Sequence, residues 1–159
     1  MDFLHKILGD EFPSLLVMEY LPGDEYTVDV FRSPANTKTI AIPRKRRVMK
    51  NGITFSGVIE KNDEIIDYTT RLANEINMEW IFGFQFKMGG DGIPKLLECN
   101  PRVQGTMVMS TLAGANLIYA SVKNILSGEI PPMEIKWGME FVRYWGGLSI
   151  YDGKLMEII

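Results

Sequence analysis

The stretch "IFGFQFKMGGDGIPKLLECNPR", residues 81–102, restricts the fold more than any other part of the chain. Alternate residues of a strand share a face. Phe82, Phe84, Phe86 and Met88 therefore take one side of the first half, and Ile81, Gly83, Gln85 and Lys87 take the other. "GGDGIP" then supplies a loop of several residues, and "KLLECN" returns as the second strand of a hairpin. A sheet with such an aromatic stripe must be covered by helices, so the stripe reads as core rather than as a stacking platform. The returning strand is less regular. Leu96 and Leu97 favour burial, yet Glu98, Asn100 and Arg102 follow at every second position, where the apolar face ought to continue.

Pairing across the hairpin can bring Gln85 near Glu98, and Asn100, two residues on, shares its face. Pro101 biases Asn100 toward an extended backbone. Three oxygen ligands, one of them anionic, suit a magnesium ion whose other positions belong to water or phosphate. Such a metal neutralises charge in phosphoryl transfer. Arg102 can pair bidentately with a phosphate or a carboxylate. The plainer reading of the same spacing is a solvated strand end with one surface salt bridge.

Elsewhere the signals are local. "LLVMEY", Leu15 to Tyr20, reads as a short buried strand, and "LPGDE" as a turn. "YTVDVF" alternates, with Tyr26, Val28 and Val30 on one face and Thr27, Asp29 and Phe31 on the other. "KTIAIP" leads into the basic run Arg44 to Arg47, and "KNG" at Lys50 to Gly52 is a hairpin-type turn. Asn62 or Asp63 caps a helix expected to run to about Asn77. A second helix is expected over Ala115 to Ser127, with Gly128 just past its end. "EIPPMEIKWG" reads as a loop or edge segment, and "MEFVRYW" as a late strand. The order predicts an α+β fold, an antiparallel sheet with helices packed on one face.

Bulk properties exclude several classes. Seventeen basic against twenty acidic residues leave a net charge of −3, which argues against a dedicated nucleic-acid binder. The "RKRR" run reads as a solvated basic segment, although alternation would let either Arg44 and Arg46 or Lys45 and Arg47 face a polyphosphate. No apolar run approaches a membrane span, and no leader is evident in "MDFLHKILGDEF". One cysteine excludes an internal disulfide and fits a cytoplasmic setting. Cys99, between two candidate ligands, is expected as a small buried hydrophobe. The single histidine, His5, supports no nucleophilic triad. Asp29 reads as structural.

"ECNPR", preceded by "FGFQF" and a Gly-rich turn, resembles the metal-binding hairpin of the ATP-grasp superfamily. "MEYLPGDEYTVDV" resembles that superfamily's hinge, and the resemblance extends over roughly residues 15–127. It implies the fold of the C-terminal half of a grasp domain. It implies that Glu19, Tyr20 and Leu21 form the adenine-binding hinge and that Glu25 accepts from the ribose hydroxyls. Gln85, Glu98 and Asn100 would hold Mg2+ against the phosphates of ATP, and Arg102 would face the transferred phosphate or the acyl phosphate as the catalytic residue. The neutral Gln85 departs from the commoner acid and resembles the carbamoyl-phosphate-synthase large-subunit branch.

The implied parent is an ATP-dependent ligase joining an unidentified carboxylate to an amine or ammonia. The small subdomain with its two lysines and glycine-rich loop finds no counterpart before the hinge. Residues 1–14 are then an arm or a remnant of the upstream subdomain, 15–150 the grasp subdomain and 151–159 a tail. The chain alone is expected to be inactive. The competing reading is a non-catalytic nucleotide-binding or structural module.

Overall fold

The computed structural model describes residues 6, 7, 9, 16–144, 147–151 and 154–158. Most of the expected N-terminal arm, His5 included, lies outside them. Six strands form one antiparallel sheet in the order β5-β4-β1-β2-β3-β6. They are β1 (Glu25–Arg32), β2 (Thr39–Lys50), β3 (Ile53–Ile59), β4 (Trp80–Met88), β5 (Pro94–Asn100) and β6 (Glu140–Val142). A separate hairpin joins β7 (Gly147–Tyr151) to β8 (Lys154–Ile158). The helices are α1 (Asp63–Glu75), a short α2 (Val108–Leu112) and α3 (Leu117–Ser127).

Local chemistry explains most of the boundaries. The Asn62 side chain accepts from the Ile65 amide at 3.0 Å and starts α1. Gly128, at φ 72°, ends α3 in the left-handed conformation that glycine tolerates best. Asn51 and Gly52, both at positive φ, turn β2 into β3. Pro43 lies inside β2, where a missing N–H is normally costly. Its carbonyl faces β3, whose ladder ends at Ile59, and accepts from the Glu60 amide at 3.1 Å. Pro43 therefore behaves as an edge residue on that side.

The antiparallel α+β layout expected from the sequence forms, with helices on both faces of the sheet rather than one. Under α1, Val28, Val30, Phe82, Phe84 and Phe86 pack with Ile65 and Ala73. Adjacent phenylalanine rings meet edge to face at 5.5 and 6.0 Å. On the opposite face, Phe31, Ile42 and Ile59 pack with Met109 from α2 and Leu117 from α3. This second cluster covers only one end of its face. The other end is polar.

Two apolar expectations fail. Leu16 to Tyr20 is not a buried strand: it has no regular structure, and Val17 is 93% exposed. The run pairs with no strand, so its hydrophobicity alone does not bury it; Leu15 lies outside the described residues. Leu96 and Cys99 are also exposed, because β5 is the sheet edge. Cys99 does turn away from Glu98 and Asn100, and its Sγ lies 3.3 Å from Met78 Sδ.

Candidate functional site

The polar end of the sheet is built from β1, β2, β4 and β5. Register places Glu25 opposite Arg46 and Lys87, and Thr27 opposite Arg44 and Gln85. On the far side of β4, Gln85 pairs with Glu98 and Gly83 with Asn100. This pairing depends on a β-bulge. Phe86 pairs with Leu96 while Gln85 pairs with Glu98, so Leu97 is the extra residue. Without the bulge, Glu98 would oppose Phe84 and point into the apolar layer under α1. The extra residue moves Glu98 and Asn100 to the face that carries Gln85.

These side chains form one hydrogen-bonded network. Gln85 Nε2 donates to Glu98 Oε1, and Asn100 Nδ2 donates to the same oxygen at 2.7 Å. Gln85 Oε1 accepts from Arg46 Nη1 at 3.0 Å. The same nitrogen donates to Glu25 Oε1. Arg46 also reaches Thr54 Oγ1 through Nε at 2.9 Å and the Gly52 carbonyl through Nη2. Lys87 Nζ lies 4.0 Å from Glu25 Oε2. Glu25 is thus linked to Glu98 through Arg46 and Gln85.

Beside this network lies a cleft of about 270 Å³, lined in part by Thr27, Arg46, Gln85, Asn100, Arg102 and Arg143. Arg102 is exposed, and its Nη1 donates to the Val103 carbonyl at 3.2 Å. Glu25 joins this lining through its bond to Arg46, and Glu98 through its bonds to Gln85 and Asn100. Of the expected hinge residues, Glu19 and Tyr20 are exposed and Leu21 is buried, and none of the three lines the cleft. The turn after them is tied to the end of β4: the Gly23 amide donates to the Met88 carbonyl, and the Met88 amide donates to the Asp24 carbonyl. A Cβ at Gly23 would lie 2.7 Å from the Met88 carbonyl oxygen, so this contact needs glycine.

One wall of the cleft is held by buried polar groups. Gln104 is buried, and its Nε2 donates to the Val28 carbonyl at 2.9 Å. Its side chain crosses the sheet over Gly83, where an added Cβ would fall 1.4 Å from Nε2. Arg44 and Asp29 form a buried ion pair: Nη2 donates to Oδ1 at 2.9 Å. Nε lies 2.8 Å from Oδ2 but is too poorly aligned to count as a hydrogen bond. Ser110 Oγ donates to Oδ2, and Arg44 Nη1 donates to Thr106 Oγ1. Burial pushes the Asp29 carboxyl up, against the pull of Arg44 and Ser110.

The donor set matters for any cation. Among the described residues no three His, Cys, Asp or Glu side chains gather at one point. One carboxylate with two carboxamides remains, all hard oxygen donors on one face. Magnesium accepts such a set when water and phosphate supply the other positions. The sequence reading missed Gln104 and Arg143 as contributors to the cleft and did not separate Arg46 from Arg44. Arg46 was one of two equivalent candidates by alternation; Gln104 and Arg143 reach the cleft only through tertiary packing.

Residues 11–143 match the sequence profile of the family described as "ATP-grasp in the biosynthetic pathway with Ter operon". Similar solved structures include the phosphoribosylaminoimidazole carboxylase ATPase subunit from Aquifex aeolicus, at 22% identity and TM-score 0.66. That match covers 82% of this chain and 41% of the other. N5-carboxyaminoimidazole synthase from Aspergillus clavatus, in complex with ADP and 5-aminoimidazole ribonucleotide, matches at 18% identity and TM-score 0.63, covering 82% and 37%. Biotin carboxylase from Campylobacter jejuni, in a β,γ-ATP complex, matches at 17% identity and TM-score 0.62, covering 77% and 30%. At these identities the likeness is one of fold. The chain spans less than half the length of each of these structures.

Proposed function

This chain belongs to the ATP-grasp family, and on that premise we propose that its parent protein is an ATP-dependent ligase resembling the carbamoyl phosphate synthase large subunit. A substrate carboxylate oxygen attacks the γ-phosphorus of ATP, ADP leaves, and an acyl phosphate forms. An amine or ammonia then attacks the acyl carbon, and phosphate departs. The observation that supports this reading is the convergence of Gln85, Glu98 and Asn100 on one face, joined through Arg46 to Glu25.

In this reading Gln85, Glu98 and Asn100 would hold Mg2+, which when bound neutralises charge on the phosphoryl oxygens. Glu25 accepts from the ribose hydroxyls. Glu19 to Leu21 meet the adenine. Arg102, which lines the cleft without a carboxylate partner of its own among the described residues, takes the transferred phosphoryl group. The neutral Gln85 is the feature that favours the carbamoyl-phosphate-synthase-like branch.

The short span of this chain against its solved counterparts favours a second statement about the chain itself. It supplies one side of a nucleotide clamp and catalyses nothing alone, since phosphoryl transfer depends on positioning and charge neutralisation together. Isolated residues 1–159 should bind Mg-ATP with a dissociation constant of about 1 mM or weaker. They should release no ADP above background in a coupled assay with any carboxylate. Supplying an upstream grasp subdomain, in cis or as a separate chain, should tighten binding. Micromolar binding or turnover by this chain alone would refute the half-clamp reading.

A further inference from the structure

The carboxamide of Gln85 has one oxygen, and Arg46 occupies it. Gln85 Oε1 accepts from Arg46 Nη1 at 3.0 Å, while Nε2 is turned toward Glu98 Oε1. Asn100 likewise presents its Nδ2, at 2.7 Å, to that oxygen. Two amide donors therefore converge on Glu98 Oε1, and Gln85 turns its nitrogen rather than its oxygen toward that carboxylate. For Gln85 to ligate an ion beside Glu98, its amide must rotate by about half a turn, because a carboxamide offers its oxygen and its nitrogen on opposite sides. That rotation would turn Nε2 toward Arg46 and set a donor against a donor. Arg46 and a cation therefore compete for the same oxygen.

Charge acts in the same direction. The Arg46 side chain is cationic and only 6% exposed, so it repels a divalent ion with less screening than a surface arginine would. Its four acceptors lie on different parts of the sheet: Glu25 on β1, Gln85 on β4, Thr54 on β3 and Gly52 in the β2–β3 turn. Arg46 Nη1 is shared between Gln85 Oε1 and Glu25 Oε1, so releasing Gln85 leaves that donor to Glu25, the proposed ribose acceptor.

We propose that Arg46 is an internal counter-cation that holds the ligand-free site by taking Gln85 Oε1, competes with a divalent ion for it, and so couples the metal subsite to Glu25. This rests on the metal role proposed for Gln85, Glu98 and Asn100. Arg46 is a positioning residue here, and the test reads binding rather than turnover.

The experiment titrates Mn2+ into the full chain without nucleotide and follows free Mn2+ by electron paramagnetic resonance. Circular dichroism checks that each variant is folded. Arg46→Met removes the charge and the donors and keeps the bulk of the stem. It should tighten Mn2+ binding roughly three- to tenfold, the size expected for removing one net hydrogen bond. Arg46→Lys keeps a charge without the fork that spans Glu25 and Gln85, and should tighten binding by less. In a Gln85→Ala background, Arg46→Met should change Mn2+ affinity by less than half as much on a logarithmic scale. Folded Arg46→Met or Arg46→Lys protein that binds Mn2+ as wild type does, or more weakly, overturns the proposal. If Mn2+ binds none of the variants, the metal reading itself falls, and this proposal with it; binding indifferent to Arg46 but lost in Glu98→Ala leaves the metal reading standing and removes only the competition.

Discussion

Arg44 and Arg46 sit two residues apart on the same face of β2, yet they do different things. Arg44 is 1% exposed and closed in by Asp29, Thr106 and Met109. Arg46 lines the cleft and holds Glu25 and Gln85. Strand alternation treats them as equivalent. The difference comes from the segment after β5, which folds back over the sheet and brings Thr106 and Met109 onto Arg44 and Ser110 onto Asp29. A guanidinium sealed with its carboxylate is part of the scaffold, and one in the wall of a cleft with acceptors from three strands and a turn is part of a site. The two should therefore respond oppositely to mutation: one in stability, the other in binding.

The largest effect expected is at the sealed pair. Asp29→Ala leaves Arg44 as an uncompensated buried charge and should destabilise the fold by about 3–5 kcal/mol. Urea denaturation would measure it, and Mg-ATP affinity per folded molecule should not change. A small loss of stability with weakened nucleotide binding would reverse the assignment and place the Asp29–Arg44 pair in the site.

Next comes the wall of the cleft at Gly83 and Gln104. Gly83→Ala cannot coexist with Gln104 where it lies, so the Gln104 bond to the Val28 carbonyl should be lost. About 1–3 kcal/mol should follow, from an unmade buried hydrogen bond and local overpacking. Gly83→Ala combined with Gln104→Gly should recover part of that loss, because the clash is relieved. Failure of the second change to recover anything would show that the crossing at Gly83 is not what this glycine serves.

A smaller stability effect is expected at the arginine that lines the cleft. Arg46→Met should cost about 1–2 kcal/mol, as partly buried hydrogen bonds to a charged group do. Its main consequence should be in ligand binding. Smaller still is Glu98→Ala at the edge strand, expected within about 0.5 kcal/mol of wild type as an exposed substitution. A loss at Glu98 comparable to that at Asp29 would erase the distinction between scaffold and site.

What was legible in the sequence follows the same division. The β4–β5 hairpin, the Asn62 cap, the Asn51–Gly52 turn and the Gly128 helix end all rest on signals within a few residues, and each forms as expected. The grouping of Gln85, Glu98 and Asn100 was legible too, although alternation alone does not produce it. Strict alternation from Leu96 would send Glu98 to the phenylalanine side; the bulge at Leu97 is what moves it. Val17 and its neighbours were misread because an apolar run carries no information about whether a partner strand exists. The choice between Arg44 and Arg46, and the arrival of Gln104 and Arg143 at the cleft, depend on contacts between segments distant in the chain. No local pattern encodes those contacts.

The most direct test of the central claim is to locate the bound cation and nucleotide by nuclear magnetic resonance. Uniformly labelled chain would be titrated with Mn-ATP at substoichiometric metal, and paramagnetic broadening of the backbone amides followed residue by residue. The account predicts that Gln85, Glu98, Asn100 and Arg102 broaden first, with Glu25 and Arg46 next, and that Glu98→Ala removes the pattern while the rest of the spectrum stays folded. Broadening centred elsewhere, for instance on the exposed acids Asp63 and Glu64 at the start of α1, or a pattern unchanged by Glu98→Ala, would contradict it.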